Sequence, residues 1–468
     1  TSLDEQFEVA RELAGLAAIE RAWFQTLGCP PPGDIAPPTP DLVANQGYLG
    51  VDPGQASVGL GLDGSGVRLA DCEFGWNTDH EDLVDRTIVA ESGQTPHPSG
   101  ATEANIDHGT AVIGIVGAPW NGYGIDGIAP GADLATYPEW SLEDGYRRTS
   151  AITAAIADSG PGDVVLLEMQ TVGPGKSYGP AELDPAVHLL TRVGSDAGVI
   201  VVAAAGNGNQ DLDHWLYASY MAMGDSGALV VGAGESDTGH DKLYFSSFGS
   251  RVNVQGWGAA VFTLGYGYHA TYGGDPNQEY MGFFSGTSSA AALVAGAVCL
   301  VQERALAAYG EPLSPGALRE LLIATGIPQA SGDPIGPALD VAAATATIVS
   351  PWSDLGLGMT SGGTPPALTG VGSMAPDSAN RLELVGAPTS ATGLWVVGFA
   401  RLDQPLFGGT LVPLPQLLVP LGLDLGGSAS LAFTWPGGLP VGSKLFAQAW
   451  MLEAPAAYHA SNGLRGAP

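Results

Sequence analysis

Short apolar runs alternate with segments of helical periodicity from about residue 46 to residue 349. The runs GVRLADCEF at 66–74, DVVLLEM at 163–169 and GVIVVAAAGN at 198–207 are nearly continuous, which is typical of strands buried on both faces of a parallel sheet. The segment RRTSAITAAIADSG at 147–160 lies between two of these runs and predicts a helix. This order predicts an α/β domain over residues 46–349, doubly wound around a mainly parallel sheet.

The two ends of the chain have different patterns. Residues 3–27 place apolar side chains at three- and four-residue steps, which predicts a helix, and the Pro-rich stretch at 29–40 predicts an extended linker. We therefore interpret residues 1–45 as an arm or the remnant of a pro-segment. Residues 351–468 are rich in Gly, Pro and Thr and contain short strand-like pieces, such as GLWVVGFA at 393–400. They predict an all-β sandwich domain.

The charge balance excludes two classes of partner. The 468 residues include 48 acidic and 16 basic side chains, for a net charge of −32. Nucleic acids and anionic membrane surfaces both attract basic proteins, so neither is expected as a partner. No apolar run reaches the roughly 18 residues that span a bilayer, and the run at 290–301 has the length of a buried helix. We expect a secreted monomer whose signal peptide is absent from this form.

The three cysteines, Cys29, Cys72 and Cys299, leave at least one free thiol and have no metal-ligand spacing. Cys299 lies in an apolar helical pattern, which indicates a small core residue. Cys72 follows Asp71 directly, but alternation along a strand turns the two side chains to opposite faces. Cys72 is therefore expected in the core.

Four segments contain candidate catalytic residues. Asp71 ends the first buried strand, and His108 lies in DHGTAVIGIVGA at 107–118. Asn207 follows the strand in VVAAAGNGN, and Ser288 lies in FFSGTSSAAALVAGAVCL. Taken singly, they read equally well as a solvated strand-end aspartate, a structural histidine, a turn asparagine and a helix N-cap serine. Their order along the chain, Asp, His, Asn and then Ser, is the order found in subtilisin.

The blocks DHGTAVIG, VVAAAGNG and SGTSSAA, with FSSFGSRVNVQGWG at 245–258, resemble the subtilisin family (subtilases) across residues 46–349. The resemblance implies a serine endopeptidase that cleaves polypeptides through an acyl-enzyme. It makes Ser288 the nucleophile, in preference to Ser285 and Ser289. His108 is then the general base, and Asp71 orients it. Asn207 stabilises the oxyanion.

The chain departs from the family pattern at two places. Ser289 and Ala292 replace the methionine and proline that usually follow the catalytic serine. Both lie on the helix, so we expect catalysis to survive.

The second departure lies in the segment whose backbone lines the primary specificity pocket in the family. We assign substrate binding to this segment and to a glycine next to the oxyanion asparagine: Glu168, Met169, Gln170 and Gly206. A carboxylate beside the pocket would favour a basic side chain before the scissile bond. Alternatively, Glu168 makes an internal hydrogen bond, or burial raises its pKa.

The resemblance also implies a structural calcium ion. It places Asn121 and the carbonyls of Pro119, Tyr123 and Ile125 on a calcium loop, with Asp82 as the carboxylate ligand. Hard oxygen ligands suit Ca²⁺. The alternative is an ordinary Gly-rich loop. The chemistry itself requires no cofactor.

Two other functions stay open from the sequence. The additional β domain and the low density of charged residues fit a non-catalytic binding or adhesion protein on the same scaffold. A different serine hydrolase, such as an esterase, is the other alternative. The absence of a Gly-x-Ser-x-Gly elbow around Ser288 argues against it.

Overall fold

The computed structural model describes residues 39–49 and 59–468. The chain divides into two compact units, Thr1–Thr39 and Pro40–Pro468, and the structure described below is that of the second. The predicted helix at 3–27 and Cys29 lie outside the described residues, as does most of the predicted linker.

The described part of the peptidase region, up to residue 350, contains helices and short strands in alternation. The helices are α1 Glu103–Gly117, α2 Arg148–Ala157, α3 Pro185–Asp196, α4 Ala218–Met221, α5 Thr287–Tyr309, α6 Pro315–Thr325 and α7 Val341–Thr347. The strands are β1 Arg68–Glu73, β2 Ile88–Ala90, β3 Asp133–Pro138, β4 Trp140–Ser141, β5 Gly145–Tyr146, β6 Val164–Leu167, β7 Gln170–Val172, β8 Tyr178–Pro180, β9 Ile200–Ala204, β10 Leu229–Gly234, β11 Val254–Trp257, β12 Val261–Leu264, β13 Ala270–Thr271 and β14 Glu279–Phe284.

Seven of these strands form one sheet in the order β11-β10-β9-β6-β1-β3-β2. Every neighbouring pair is parallel. The order runs outwards in both directions from the centre, which is the arrangement of a doubly wound sheet. The predicted α/β fold is confirmed.

The continuous apolar runs form these strands because both faces of the sheet are covered. On β1, Leu69 packs into the larger core with α1, α5 and α7, whereas Ala70 and Cys72 pack into a second core with α2 and α3. Asp71 lies on the face opposite Cys72, as the alternation predicts. Cys72 and Cys299 are both buried free thiols, which fits their prediction as core residues.

Helix α5 is the central helix of the larger core. By length and composition it could cross a membrane, but 78% of its most apolar 18-residue stretch is buried within the protein. Its apolar character therefore reflects burial against the sheet, and it is the longer form of the helix predicted at 290–301.

Residues after 350 form antiparallel sheets. Their strands are β15 Trp352–Gly356, β16 Ala367–Val371, β17 Ala379–Val385, β18 Thr392–Gly398, β19 Arg401–Leu406, β20 Gly409–Pro413, β21 Leu417–Leu421, β22 Ala429–Thr434, β23 Leu445–Glu453, β24 Ala457–Ala460 and β25 Gly463–Gly466.

A six-stranded sheet contains β15, β25, β23, β18 and β21, with β24 at β23, and a three-stranded sheet has the order β16-β17-β22. Leu368 and Leu382 from the smaller sheet share a core with Trp395, Ala449 and Leu464 from the larger one. Two antiparallel sheets that enclose a common core form a sandwich, so the predicted all-β fold of this region is confirmed.

Candidate active site

Polar residues collect where several parallel strands end. Strand β1 ends at Glu73, β6 leads to Glu168, and β9 leads to Gly206 and Asn207. Because parallel strands point the same way, these carboxyl ends lie along one edge of the sheet, where open α/β sheets bind their ligands. This edge is the candidate active site.

His108, in the first half of α1, contacts a carboxylate of β1. Its Nδ1 lies 2.6 Å from Glu73 Oε2, and Glu73 Oε1 accepts a hydrogen bond from the backbone N–H of Phe74. The His108 side chain is 26% exposed, so one edge of the ring still reaches solvent. The hydrogen bond to Glu73 fixes the ring orientation and directs the other nitrogen, Nε2, away from the strand.

The prediction that Asp71 is the hydrogen-bond partner of His108 is wrong in this structure. Asp71 Oδ2 instead accepts a hydrogen bond of 2.7 Å from Trp76 Nε1. Asp71 and Glu73 lie on the same face of β1, but Asp71 is two residues inside the strand and fully buried. Glu73 is the last residue of β1. The strand runs two residues beyond the end predicted at Asp71, so the acid at the strand end is Glu73.

The glycine after His108 is required by packing. A Cβ at Gly109 would lie 2.3 Å from the carbonyl oxygen of Gly75 and 3.0 Å from Glu73 Cγ. Only glycine lets α1 approach the end of β1 this closely. The His-Gly pair in the sequence is therefore the condition for the contact between His108 and Glu73.

The surroundings of His108 favour its protonated form. Burial lowers its pKa, but the charge and hydrogen bond of Glu73, together with the charge of Asp71, outweigh burial and raise the pKa above 6.5. A base of this kind accepts a proton readily near neutral pH.

Ser288 lies in the first turn of α5 and is 6% exposed. The turn before it depends on Gly286, whose φ of 125° suits glycine alone. Ser289 is engaged elsewhere, because its Oγ donates to the carbonyls of Trp257 and Gly286. The ring of His108 contacts Phe284, four residues before Ser288, at a centroid distance of 5.5 Å. The contact between His108 and Phe284 places the start of α5 beside His108 at the carboxyl edge of the sheet.

Asn207 holds its amide in a defined orientation. Its Oδ1 accepts from the backbone N–H of Thr287 at 2.8 Å and from Thr287 Oγ1 at 3.0 Å. Since a backbone N–H can only donate, Nδ2 is at the opposite end of the amide. A Cβ at Gly286 would lie 3.3 Å from Asn207 Nδ2 and 3.7 Å from Ser288 N. Both nitrogens therefore lie close to Gly286 and near each other, a spacing that suits two donors to one oxyanion.

The model of the subtilase family, a family of peptidases, matches residues 64–350. The chain belongs to the subtilase family. It is 31% identical over 244 residues to Subtilisin BL of Lederbergia lenta, covering 52% of this chain and 79% of the relative. It is 27% identical over 272 residues to the major intracellular serine protease of Bacillus subtilis (strain 168), covering 57% and 78%. These relationships make the chain a serine endopeptidase.

A solved lanthipeptide protease has a similar fold, with a TM-score of 0.50 and 16% sequence identity. The similarity covers 65% of this chain and 95% of that one. This likeness supports the fold alone.

The residues that we assigned to substrate binding in this subtilase have different environments. Glu168 is 4% exposed and lies beside Asp71, so it does not face an open pocket. Met169 packs into the core beneath α2 and α3. A Cβ at Gly206 would lie 2.5 Å from Gly179 C, so β8 packs directly on this glycine. The prediction that Glu168 selects a basic substrate side chain is therefore wrong in this geometry, and the internal alternative describes it.

Gln170 keeps a position consistent with substrate binding. Its Oε1 accepts from the backbone N–H of Asn207 at 2.9 Å. It also lines a polar cleft of 680 Å³ together with Tyr146, Arg148, Thr171, Val172 and Asp184. Gln170 thus joins the cleft to the loop that holds Asn207.

The residues predicted to bind calcium do not fit the ion. Asp82 is fully buried, and its oxygens accept from Asn121 Nδ2 at 3.3 Å and from Ile125 N at 2.9 Å. The Tyr280 hydroxyl, 3.0 Å from Asp82 and 2.7 Å from Glu81, shares its one proton between the two acids. Burial, partly offset by these hydrogen bonds, raises the pKa of Asp82 to about 7. Ile125 presents its N–H to Asp82, and Asn121 Oδ1 accepts from Tyr123 N. The Asp82 oxygens thus face protein donors, and the carbonyl of Pro119 accepts from Asn121 N.

Proposed function

We propose that this subtilase hydrolyses peptide bonds with Ser288 as nucleophile, His108 as general base and acid, and Glu73 as the carboxylate that orients His108. The observation that supports this assignment is the 2.6 Å contact between His108 Nδ1 and Glu73 Oε2. Glu73 takes the role that we first gave to Asp71. A carboxylate here fixes the tautomer of the imidazole and stabilises the imidazolium that forms during the reaction.

The reaction proceeds in two halves. Ser288 Oγ attacks the scissile carbonyl carbon while its proton passes to His108 Nε2. The N–H groups of Ser288 and Asn207 Nδ2 stabilise the oxyanion of the tetrahedral intermediate. His108 then gives the proton to the leaving amine, and the C–N bond breaks to leave an acyl-enzyme. Water, deprotonated by His108, attacks the ester, and Ser288 regains its proton as the acid product leaves.

A fluorophosphonate probe tests the nucleophile. Wild type should be labelled and should cleave casein. Ser288→Ala should abolish both, whereas Ser289→Ala should keep labelling because Ser289 Oγ is bonded to two carbonyls. Folded wild type without labelling and without cleavage would overturn the proposal and revive a binding role. Faster hydrolysis of simple esters than of matched peptides would favour the esterase alternative.

We propose further that the enzyme acts as a monomer outside the cell. The net charge of −32 supports the first part, because strong like charge keeps copies apart. Sedimentation equilibrium of the purified chain and fractionation of the producing cells test the two parts. A stable dimer, or activity confined to the cell interior, would contradict them.

A further inference from the structure

Three acidic side chains point to the same face at the ends of β1 and β6. Asp71 and Glu73 are alternate residues of β1, and Asp71 pairs with Leu166 of the parallel strand β6. Glu168 follows Leu166 by two residues and therefore lies level with Glu73. All three are buried, at 0%, 7% and 4% exposure for Asp71, Glu73 and Glu168.

The hydrogen-bond donors available to this group are too few. Both oxygens of Glu73 have donors, and Asp71 Oδ2 has Trp76. Among the described residues, no N–H or hydroxyl of another residue donates to Asp71 Oδ1 or to either oxygen of Glu168. Buried carboxyl oxygens without donors are costly, so the missing donor must come from within the group.

Asp71 and Glu168 lie within hydrogen-bond reach of each other. An ionised carboxylate only accepts, so two carboxyls form a hydrogen bond only if one of them is protonated. Burial, followed by the charges of Asp71 and Glu73, raises the pKa of Glu168 well above its usual value. Burial and Glu73 raise the pKa of Asp71 to about 7, while the hydrogen bonds from Trp76 and Glu168 lower it. Trp76 donates to Asp71, whereas no other residue donates to Glu168, so the negative charge is better stabilised on Asp71 and the proton resides on Glu168.

We propose that Asp71 and Glu168 share one proton and act as positioning residues for the pair formed by Glu73 and His108. Neutral Glu168 donates a hydrogen bond to Asp71. Asp71 stays negatively charged, two residues before Glu73 on β1. That charge favours protonated His108 during the reaction without contacting the imidazole. The inference rests on the proposed function, since it needs His108 to be the general base.

The other acidic side chains near the pair each bond an arginine. Glu139 at the end of β3 is bonded to Arg148 of α2, and Glu91 is bonded to Arg147. On β1 itself, burial raises the pKa of the Cys72 thiol well above its usual value, so this group stays neutral. Glu73 and the His108 of α1 are the remaining charged neighbours. A change of charge at Asp71 or Glu168 should therefore alter mainly the pKa of His108.

The test is the pH dependence of kcat/KM, measured on the full chain with one peptide substrate. Asp71→Asn removes the charge, and Glu168→Leu removes the donor so that Asp71 takes up a proton. Both should move the acidic inflection, which reports His108, to lower pH. Glu168→Gln supplies an amide N–H to Asp71, so it should restore the inflection and the activity that Glu168→Leu loses.

Glu303→Gln is the matched control. Glu303 accepts from the backbone N–H groups of Asp63 and Gly64, and it lies 15 residues along α5 from Ser288, or roughly 22 Å. Its inflection should equal that of wild type. If Glu168→Gln moves the inflection as Glu168→Leu does, or if Asp71→Asn leaves it in place, the proposal is wrong.

An infrared measurement decides the question even if Glu168→Leu does not fold. A protonated carboxyl has a C=O stretching band distinct from that of a carboxylate. Wild type at about pH 7 should show a band that Glu168→Gln lacks. Identical spectra would overturn the shared proton, whereas wild type that is neither labelled nor active would instead overturn the proposed function.

Discussion

Two buried acidic clusters in the peptidase region are stabilised in different ways, one by arginine and the other by a shared proton. Glu182, which is 1% exposed, is bonded to Arg251 and Tyr220 and accepts from Ser226 Oγ at 2.5 Å. The acid pair formed by Asp71 and Glu168 has no arginine or lysine within ion-pair distance in the described chain. A nearby cation keeps a buried carboxylate charged, and its absence favours protonation.

The charge around Arg251 extends to a second acid. Arg251 and Arg319 both form ion pairs with Asp225. The hydrogen bond from Arg319 lowers the pKa of Asp225 by more than burial raises it, so this pKa lies below its usual range. Near His108 the pKa of Asp71 is instead raised to about 7, chiefly by burial. The cluster around Arg251 stabilises the fold, whereas the pair of Asp71 and Glu168 lies where a change of protonation alters the electrostatic potential at His108.

The largest expected effect comes from Glu73→Gln. The amide cannot hold the imidazole in the correct tautomer, so kcat should fall about 10⁴-fold, as expected for loss of a triad carboxylate. Asp71→Asn should cost less than about 100-fold, because it does not touch the imidazole. Steady-state kinetics on both variants measures the difference, with circular dichroism to check folding. The reverse order would restore Asp71 as the partner of His108.

Arg251→Met should have the next largest effect, on stability. It leaves Glu182 buried without its cation, which costs about 3–5 kcal/mol in the free energy of unfolding. Activity of the folded fraction should change little. Arg381→Met is the control, since Arg381 and Glu383 form a half-exposed pair whose loss costs under about 1 kcal/mol. Urea unfolding compares the two, and equal losses would remove the distinction between buried and exposed pairs.

Glu168→Gln should have an effect on stability that depends on pH, and it should stabilise the protein increasingly as the pH rises. The folded pKa of Glu168 lies above its unfolded value, so its contribution to stability is complete at low pH and is lost as pH rises. The free energy of unfolding of Glu168→Gln, relative to wild type, should therefore increase as the pH rises above 4.5, the usual pKa of a glutamate. Urea midpoints at several pH values measure it. A gap that does not vary with pH would mean that Glu168 is ionised in the folded enzyme.

Calcium should have the smallest effect. Because the oxygens of Asp82 already accept from Asn121 and Ile125 and contact the Tyr280 hydroxyl, adding Ca²⁺ or a chelator should leave Tm unchanged, with Mg²⁺ as the control. Differential scanning fluorimetry is sufficient. A saturable rise in Tm with Ca²⁺ alone, lost in Asp82→Asn, would show that the loop rearranges to bind the ion.

Much of this protein follows from patterns that act locally. Continuous apolar runs at 163–169 and 198–207 required a sheet covered on both faces, and the Gly-rich, Pro-rich texture after 350 required short antiparallel strands. The alternation of β1 placed Cys72 in the core. His108, Asn207 and Ser288 could be named because their motifs, and the order of those motifs along the chain, resemble those of the subtilases.

Tertiary structure alone decided which acid serves His108 and what Glu168 does. Asp71 and Glu73 share a face of β1, so periodicity cannot separate them. The choice depends on how closely α1 crosses the end of the strand at Gly109, and on Trp76 taking the oxygen of Asp71. Glu168 could face a pocket or the interior until β6 was aligned with β1. Burial and the lack of a donor are properties of the packed structure, and they determine where the proton resides.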